Sequence, residues 1–352
     1  MPGLPFATPV TDEELWANIL HDLGALPYST QQNITMHDIL RALNNGVYQD
    51  NLALYGDGSD GVCNFIAAGS TTVAGATLSS GVYTMTRDIW LANGSAIAAT
   101  VVIQTAGFRI FCQGELTNNG TIQSNGNAGA IQVAGAALGY TGTLSSGTVG
   151  TAGGTGTTTT AGAGTAQGIN SLGGVGGTGG ASTVTVNAGA AGGAVTAPTA
   201  VMELPRSLPL AIVGKLVNTT AFLAMGAGSG GGAGGGDGTY VGGGGGGGGG
   251  IVVVVAQRLA GTGTISANGG AGGTASQNAL ATSGGGGGGG GGMVIVVSRT
   301  VQPVAVNSAG PVIAGQTIQA LGGAGGIASP LGGVAGNAVT PSLPGTVILL
   351  PA

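Results

Sequence analysis

Between Thr11 and Gly24 the apolar residues fall at helical spacing, so that Leu15, Trp16, Ile19, Leu20 and Leu23 share one face of a predicted helix. Thr11-Asp12-Glu13-Glu14 reads as a capping box ahead of it, the acids suit the first turn of the helix dipole, and Gly24 supplies the stop. A second predicted helix starts at Thr35, with Asp38 three residues later, gathers Met36, Ile39, Leu40 and Leu43 on one face, and ends near Asn45-Gly46. Helices of about three turns are marginal alone. Their apolar faces therefore either pack on each other or dock into another protein, and residues 1–55 form a separate helical anchor module.

From residue 56 the pattern changes to a period of two. Gly56-Asp57-Gly58-Ser59-Asp60-Gly61 is a turn, and short runs such as Val82-Tyr83-Thr84-Met85-Thr86 and Gly107-Phe108-Arg109-Ile110-Phe111-Cys112 alternate faces between Gly, Asn and Ser punctuation. Residues 56–125 are read as a β-strand domain of stacked rungs or a sandwich.

Internal repeats favour rungs. Gly120-Thr121-Ile122-Gln123-Ser124-Asn125-Gly126 recurs as Gly263-Thr264-Ile265-Ser266-Ala267-Asn268-Gly269 and, more loosely, as Gly315-Gln316-Thr317-Ile318-Gln319-Ala320-Leu321-Gly322. Each isoleucine is expected to point inward and stack on its equivalents, with Asn-Gly or Leu-Gly turning the corner. A second repeat joins nine glycines, Gly242 to Gly250, to Ile251-Val252-Val253-Val254-Val255, and nine more, Gly284 to Gly292, to Met293-Val294-Ile295-Val296-Val297. The β-branched runs read as buried strands. Residues 126–225 are a low-complexity Gly/Ala/Thr β region in which 126–200 give no register, and 226–352 are a glycine-rich distal domain.

Composition explains what holds such a chain together. Of 352 residues 79 are glycine, and only 5% are charged, so side-chain volume for an ordinary core is scarce. An apolar content of 42% sets the chain apart from disordered sequences, although flexible spacers remain the competing reading of the glycine tracts. Glycine adopts polyproline II conformation without hydrogen bonds inside its own strand, so its donors and acceptors need neighbours. Several such strands side by side would form a lattice that any β-carbon disrupts.

Charge and motifs exclude several functions. The net charge is −5, with Lys215 the single lysine, so no basic patch for nucleic acid is expected. The best apolar stretch, Leu208 to Met225, is interrupted by Pro209 and Lys215 and falls short of a membrane span. The start, Met-Pro-Gly-Leu-Pro, lacks the basic residue of a secretory signal. Gly214-Lys215 is followed by Leu216, which rules out a phosphate-binding loop, and His21 and His37 read as solvated helix positions. Cys63 and Cys112 are expected as buried free thiols, and no metal-ligand spacing or cofactor motif is present. The pairs Asp57/Asp60 and Asp88/Glu115 are the candidates for paired-carboxylate hydrolysis, with turn chemistry and pairing to Arg87 or Arg109 as the simpler alternatives. No enzyme activity is expected.

Gly56-Asp57-Gly58-Ser59-Asp60-Gly61, Thr84-Met85-Thr86-Arg87-Asp88-Ile89, Gly107-Phe108-Arg109-Ile110-Phe111 and Gly114-Glu115-Leu116-Thr117-Asn118-Asn119-Gly120-Thr121-Ile122 together resemble a segment of glycine-rich bacteriophage virion proteins, tail or minor structural. The polyglycine blocks are similar in style to tail-tip adhesins of T-even-type phages, whose glycine helices form a sandwich with variable receptor-contacting loops. The helical start and the β segment depart from those adhesins, and the expected fold is mainly β: a β-helix-like or stacked-rung fibre with a polyglycine II-like distal region and a short α-helical N-terminal module. The resemblance implies a homo-oligomer, a trimer, on the exterior of the virion. Leu15, Trp16, Ile19, Leu20 and Leu23 would be its virion-docking face, and loops around Asn125-Gly126 and Asn268-Gly269 would meet a host-surface receptor. A head fibre or capsid decoration protein and a polysaccharide depolymerase tailspike are the alternatives.

Overall fold

The computed structural model describes residues 54–66, 73, 75–136, 138, 141–144, 146–153, 165, 173–183, 190, 193–194, 227–299, 315–336 and 345–350. Among these the chain is mainly β and has no helix. The two predicted helices, with Leu15, Trp16, Ile19, Leu20 and Leu23, lie outside the described residues, as do both histidines and Lys215.

The strands are β1 (Asn64–Phe65), β2 (Ala76–Ser79), β3 (Val82–Met85), β4 (Ile89–Leu91), β5 (Ser95–Ile97), β6 (Val102–Gln104), β7 (Arg109–Asn118), β8 (Thr121–Gln123), β9 (Ile251–Ala260), β10 (Thr264–Ser266), β11 (Met293–Val297), β12 (Thr317–Gln319) and β13 (Thr346–Leu350). They form two sheets. One runs β1-β5-β7-β9-β11-β13, with β4 also paired to β7, and the other runs β2-β3-β6-β8-β10-β12. Every pairing is parallel except the β2–β3 hairpin. From β5 onward successive strands alternate between the sheets, so each passage adds one strand to each layer. The corners need glycine where the backbone turns left-handed: Gly261, with φ 97°, sits against the Asn118 carbonyl at the β9–β10 corner, where a β-carbon has no room.

Register follows the repeats. Tyr83, Ile103, Ile122, Ile265 and Ile318 are successive partners along the second sheet, and all five are fully buried. Burying an isoleucine side chain contributes about 1.5–3 kcal/mol, so one inward residue per strand fixes which face of each short strand points in. The facing column on the first sheet is Ile89, Ile110, Val254, Val296 and Leu349. The two columns belong to one apolar core between the sheets.

The apolar run of β9 and all of β11 are buried on both faces, which explains why they lack alternation. Val252, Val254 and Ala256 of β9 face the core between the sheets, while Ile251, Val253 and Val255 join Phe111, Met293, Ile295 and Val297 in a second core with Leu54, Tyr55, Leu144 and Ala227. β9 runs five residues beyond the apolar run, to Ala260, because Arg258, Leu259 and Ala260 pair with Glu115, Leu116 and Thr117 of β7. Among the described residues no helix is long and apolar enough to cross a membrane.

Candidate functional site: a glycine lattice and its rim

The run Gly242–Gly250 makes no bond along itself and distributes its amides in threes. Gly243, Gly246 and Gly249 donate to the carbonyls of Gly284, Gly287 and Gly290; Gly244, Gly247 and Gly250 donate to Ala130, Asn127 and Ser124; Gly245 and Gly248 donate to Thr151 and Thr148. Its carbonyls are used in the same rhythm. Gly243, Gly246 and Gly249 accept from Gly234, Gly231 and Gly228; Gly244 and Gly247 accept from Gly273 and Gly270; Gly242 and Gly245 accept from Gln132 and Gly135. The strand is thus surrounded by six segments, three taking its protons and three giving theirs.

Gly284–Gly292 repeats the arrangement. Gly284, Gly287 and Gly290 donate to Gly235, Gly232 and Ser229, while Gly286, Gly289 and Gly292 donate to Gly273, Gly270 and Ala267. Gly180, Gly177 and Gly174 donate to it at Gly285, Gly288 and Gly291, and Gly323 and Gly326 at Gly289 and Gly286. A β-carbon at Gly245, Gly246 or Gly248 would run into the carbonyls of Gly231, Gly270 or Gly228, and one at Gly288 into Gly323. Neither run contains a positive φ. The glycines serve by lacking a side chain rather than by turning.

Strands at the rim need glycine only where they face inward. Gly147, Gly150 and Gly153 abut Gly248, Gly245 and Gly242, and Gly173, Gly176 and Gly179 abut Ala227, Gly230 and Ala233, each at every third residue. Between them other side chains point out, among them exposed Ile131, Val133, Val149, Ile327 and Val334. This every-third-glycine spacing supplies the register of the described segments 147–153 and 173–180.

The Asn-Gly corners join the sheets to this lattice. Asn125 accepts the amide of Asn268 at 2.7 Å through its side-chain carbonyl, and Asn268 accepts that of Leu321 at 2.8 Å. Asn125 also donates to Gln123 at 2.9 Å, and Gly126 and Gly269 donate to the carbonyls of Asn268 and Leu321. Both corners, expected as exposed loops, are half-buried passages from strand to lattice, with exposed Asn127, Ala128 and Ala271 just beyond them.

The ionisable groups are engaged one by one. Asp60 takes both guanidinium nitrogens of Arg87, at 2.9 and 2.5 Å, and the Trp90 amide at 2.8 Å. Burial would raise its pKa, but these donors outweigh burial and hold it below the ordinary value. Asp57 accepts the Ser59 amide in the turn. Asp88 and Glu115 do not form a pair: Asp88 accepts the Arg109 amide at 2.8 Å and lies 3.5 Å from its guanidinium, while Glu115 lies 3.5 Å from Arg258. Arg109, one of the two arginines expected to pair with these acids, is buried, and its guanidinium also donates to Thr143 at 2.8 Å. Burial lowers its pKa and Asp88 partly offsets this.

Asp237, within Gly236-Asp237-Gly238, accepts the amides of Thr239 and Tyr240 through Oδ1, as a turn does, and the amide and hydroxyl of Thr282 through Oδ2. Cys63 and Cys112 are buried free thiols, donating to the carbonyls of Asp60 and Ala92. Among the described residues no cluster of His, Cys, Asp and Glu has the makings of a metal site. No family model matches the chain, and no curated protein or solved structure matches it either.

Proposed function

We propose that the chain is a structural subunit on the exterior of a bacteriophage particle, a tail fibre or tip adhesin that attaches the virion to a host surface and performs no catalysis. In this reading the alternating strands are a β-helix-like stack of rungs that leads into a polyglycine II-like bundle. Residues 1–55 are the helical anchor, with Leu15, Trp16, Ile19, Leu20 and Leu23 docking on other virion proteins, and the fibre is a homotrimer.

The observation that carries the reading is the three-residue rhythm in which Gly242–Gly250 spends its amides on three neighbouring segments. Nine residues at about 3.1 Å each make a rod of about 28 Å, braced by backbone alone. The segments at the rim of such a bundle carry other side chains on their outward positions, which suits a protein that presents variable chemistry on a fixed scaffold. The separate engagement of Asp88 with Arg109 and of Glu115 with Arg258 speaks against a paired-carboxylate hydrolase.

The test is adsorption of the purified oligomer to a susceptible host, combined with antibody labelling of residues 1–55 on particles seen by electron microscopy. Saturable adsorption with label at the tail supports the adhesin. Label on the capsid moves the protein to head fibre or decoration, and absence from particles removes the virion role.

A further inference from the structure

A homopolymer of glycine has no register of its own. Gly243, Gly246 and Gly249 donate to Gly284, Gly287 and Gly290, so a slide of one run by three residues still places two of the three donors on an equivalent glycine. At one end the offset is fixed by β9 and β11, where Ile251 pairs with Met293 and Val255 with Val297. That leaves the other end, where each run enters the lattice from a loop. A run held at one end alone absorbs a slip by unwinding a turn at its free end.

We propose that Asp237 is a register pin, clamping the entry of Gly242–Gly250 to the entry of Gly284–Gly292 and so selecting one offset among those the glycines themselves allow. Its two oxygens divide the work. Oδ1 closes the loop before the first run by accepting the amides of Thr239 at 2.9 Å and Tyr240 at 2.6 Å. Oδ2 reaches across to the second run and accepts the amide and hydroxyl of Thr282 at 2.8 and 3.1 Å. Ser283 completes the clamp by donating its hydroxyl to the Tyr240 carbonyl at 2.8 Å. Directly beyond it the lattice begins, with Gly284 donating to Gly235 and Gly243 donating to Gly284.

The pin is sensitive to protonation. The groups facing Asp237 are the amides of Thr239, Tyr240 and Thr282 and the Thr282 hydroxyl, and among the described residues no charged side chain acts on it. Burial alone would raise its pKa, but these four donors outweigh burial and lower it. The charged form is therefore the bound form, and the clamp loosens only as pH falls through a value below the ordinary carboxylate range. The inference concerns how the lattice is registered and holds whatever surface the protein attaches to.

Asp237→Asn keeps an acceptor for the loop and replaces the acceptor for Thr282 with a donor, and Thr282→Val removes only the hydroxyl bond. Deuterium uptake is read by mass spectrometry in peptides covering Gly242–Gly250, Gly284–Gly292 and the β9 and β11 strands. The expected result is at least tenfold faster exchange at the entry half of both glycine runs in Asp237→Asn and a smaller rise in Thr282→Val, with β9 and β11 unchanged. In the wild-type protein, exchange at the same entries, corrected for the intrinsic rate, rises as pH falls below the ordinary carboxylate range. Should Asp237→Asn fail to fold, Thr282→Val and the wild-type pH series carry the test. Glycine-run exchange that ignores the substitutions and pH, or that accelerates equally in β9 and β11, overturns the proposal.

Discussion

The side-chain carbonyl of Asn268 accepts the backbone amide of Leu321 at 2.8 Å, as Asn125 accepts that of Asn268 at 2.7 Å. The two bonds run in one direction along the three copies of the Gly-Thr-Ile repeat. The ladder needs an asparagine in every copy but the last, and the last copy has leucine. Each bond satisfies an amide at the point where a β-strand gives way to a lattice strand, which neither ladder reaches.

Asn268→Ala leaves the Leu321 amide without this acceptor, at a cost of about 1–3 kcal/mol. Leu321→Asn adds a side chain with no further copy to serve and is expected to change stability by less than about 0.5 kcal/mol. Denaturant unfolding of the two variants checks the asymmetry.

The lattice predicts a period of three for tolerance at its rim. Gly129 faces the Gly244 carbonyl with no room for a β-carbon, whereas its neighbours Ala128 and Ala130 point outward and are exposed. Gly129→Ala is expected to destabilise by about 1–3 kcal/mol through overpacking. Ala128→Gly and Ala130→Gly are expected to cost less than about 1 kcal/mol each. Thermal unfolding of the three single variants separates a lattice from a flexible spacer, in which all three changes would be silent.

Some of this was readable from residues and some was not. Ile122, Ile265 and Ile318 could be aligned because Gly-Thr and Asn-Gly flank the first two, and they are partners in one sheet. The nine-glycine runs could be read as backbone-paired because no other residue interrupts them. Segments such as 147–153 stayed opaque, since their only marker is glycine at every third position amid other small residues, and their partners lie about a hundred residues away, Gly150 against Gly245. The extension of β9 was hidden because Gln257-Arg258 looks like a strand's end, whereas Arg258, Leu259 and Ala260 continue the pairing with β7. Burial of Arg109 runs against the usual exposure of arginine and depends on Asp88 and Thr143, set by the fold.

Acid should weaken the domain at Asp60. Its folded-state pKa lies below the unfolded value of about 3.9. Its contribution is therefore complete above that value and is lost as pH falls through the folded one. Asp60→Asn removes the Arg87 ion pair and is expected to cost about 1–3 kcal/mol near neutral pH, and to flatten the decline in stability between pH of about 4 and 2. Denaturant midpoints measured across that range for both proteins give the comparison.

Cys63 and Cys112 are shielded, and burial pushes both thiols up from their ordinary pKa. Thiolate is the reactive form. Alkylation with iodoacetamide at mildly alkaline pH is expected to leave both unmodified in the folded protein and to label both after denaturation. Mass spectrometry of the intact chain reads the number of adducts.

The central claim is that glycine runs without side chains are held rigid by amides shared in threes with surrounding strands. Amide exchange in Gly242–Gly250 and Gly284–Gly292 measures it most directly. The account predicts protection comparable to that of the buried strands Ile251–Ala260 and Met293–Val297, whereas exchange at the rate of an unstructured peptide in either run would contradict it.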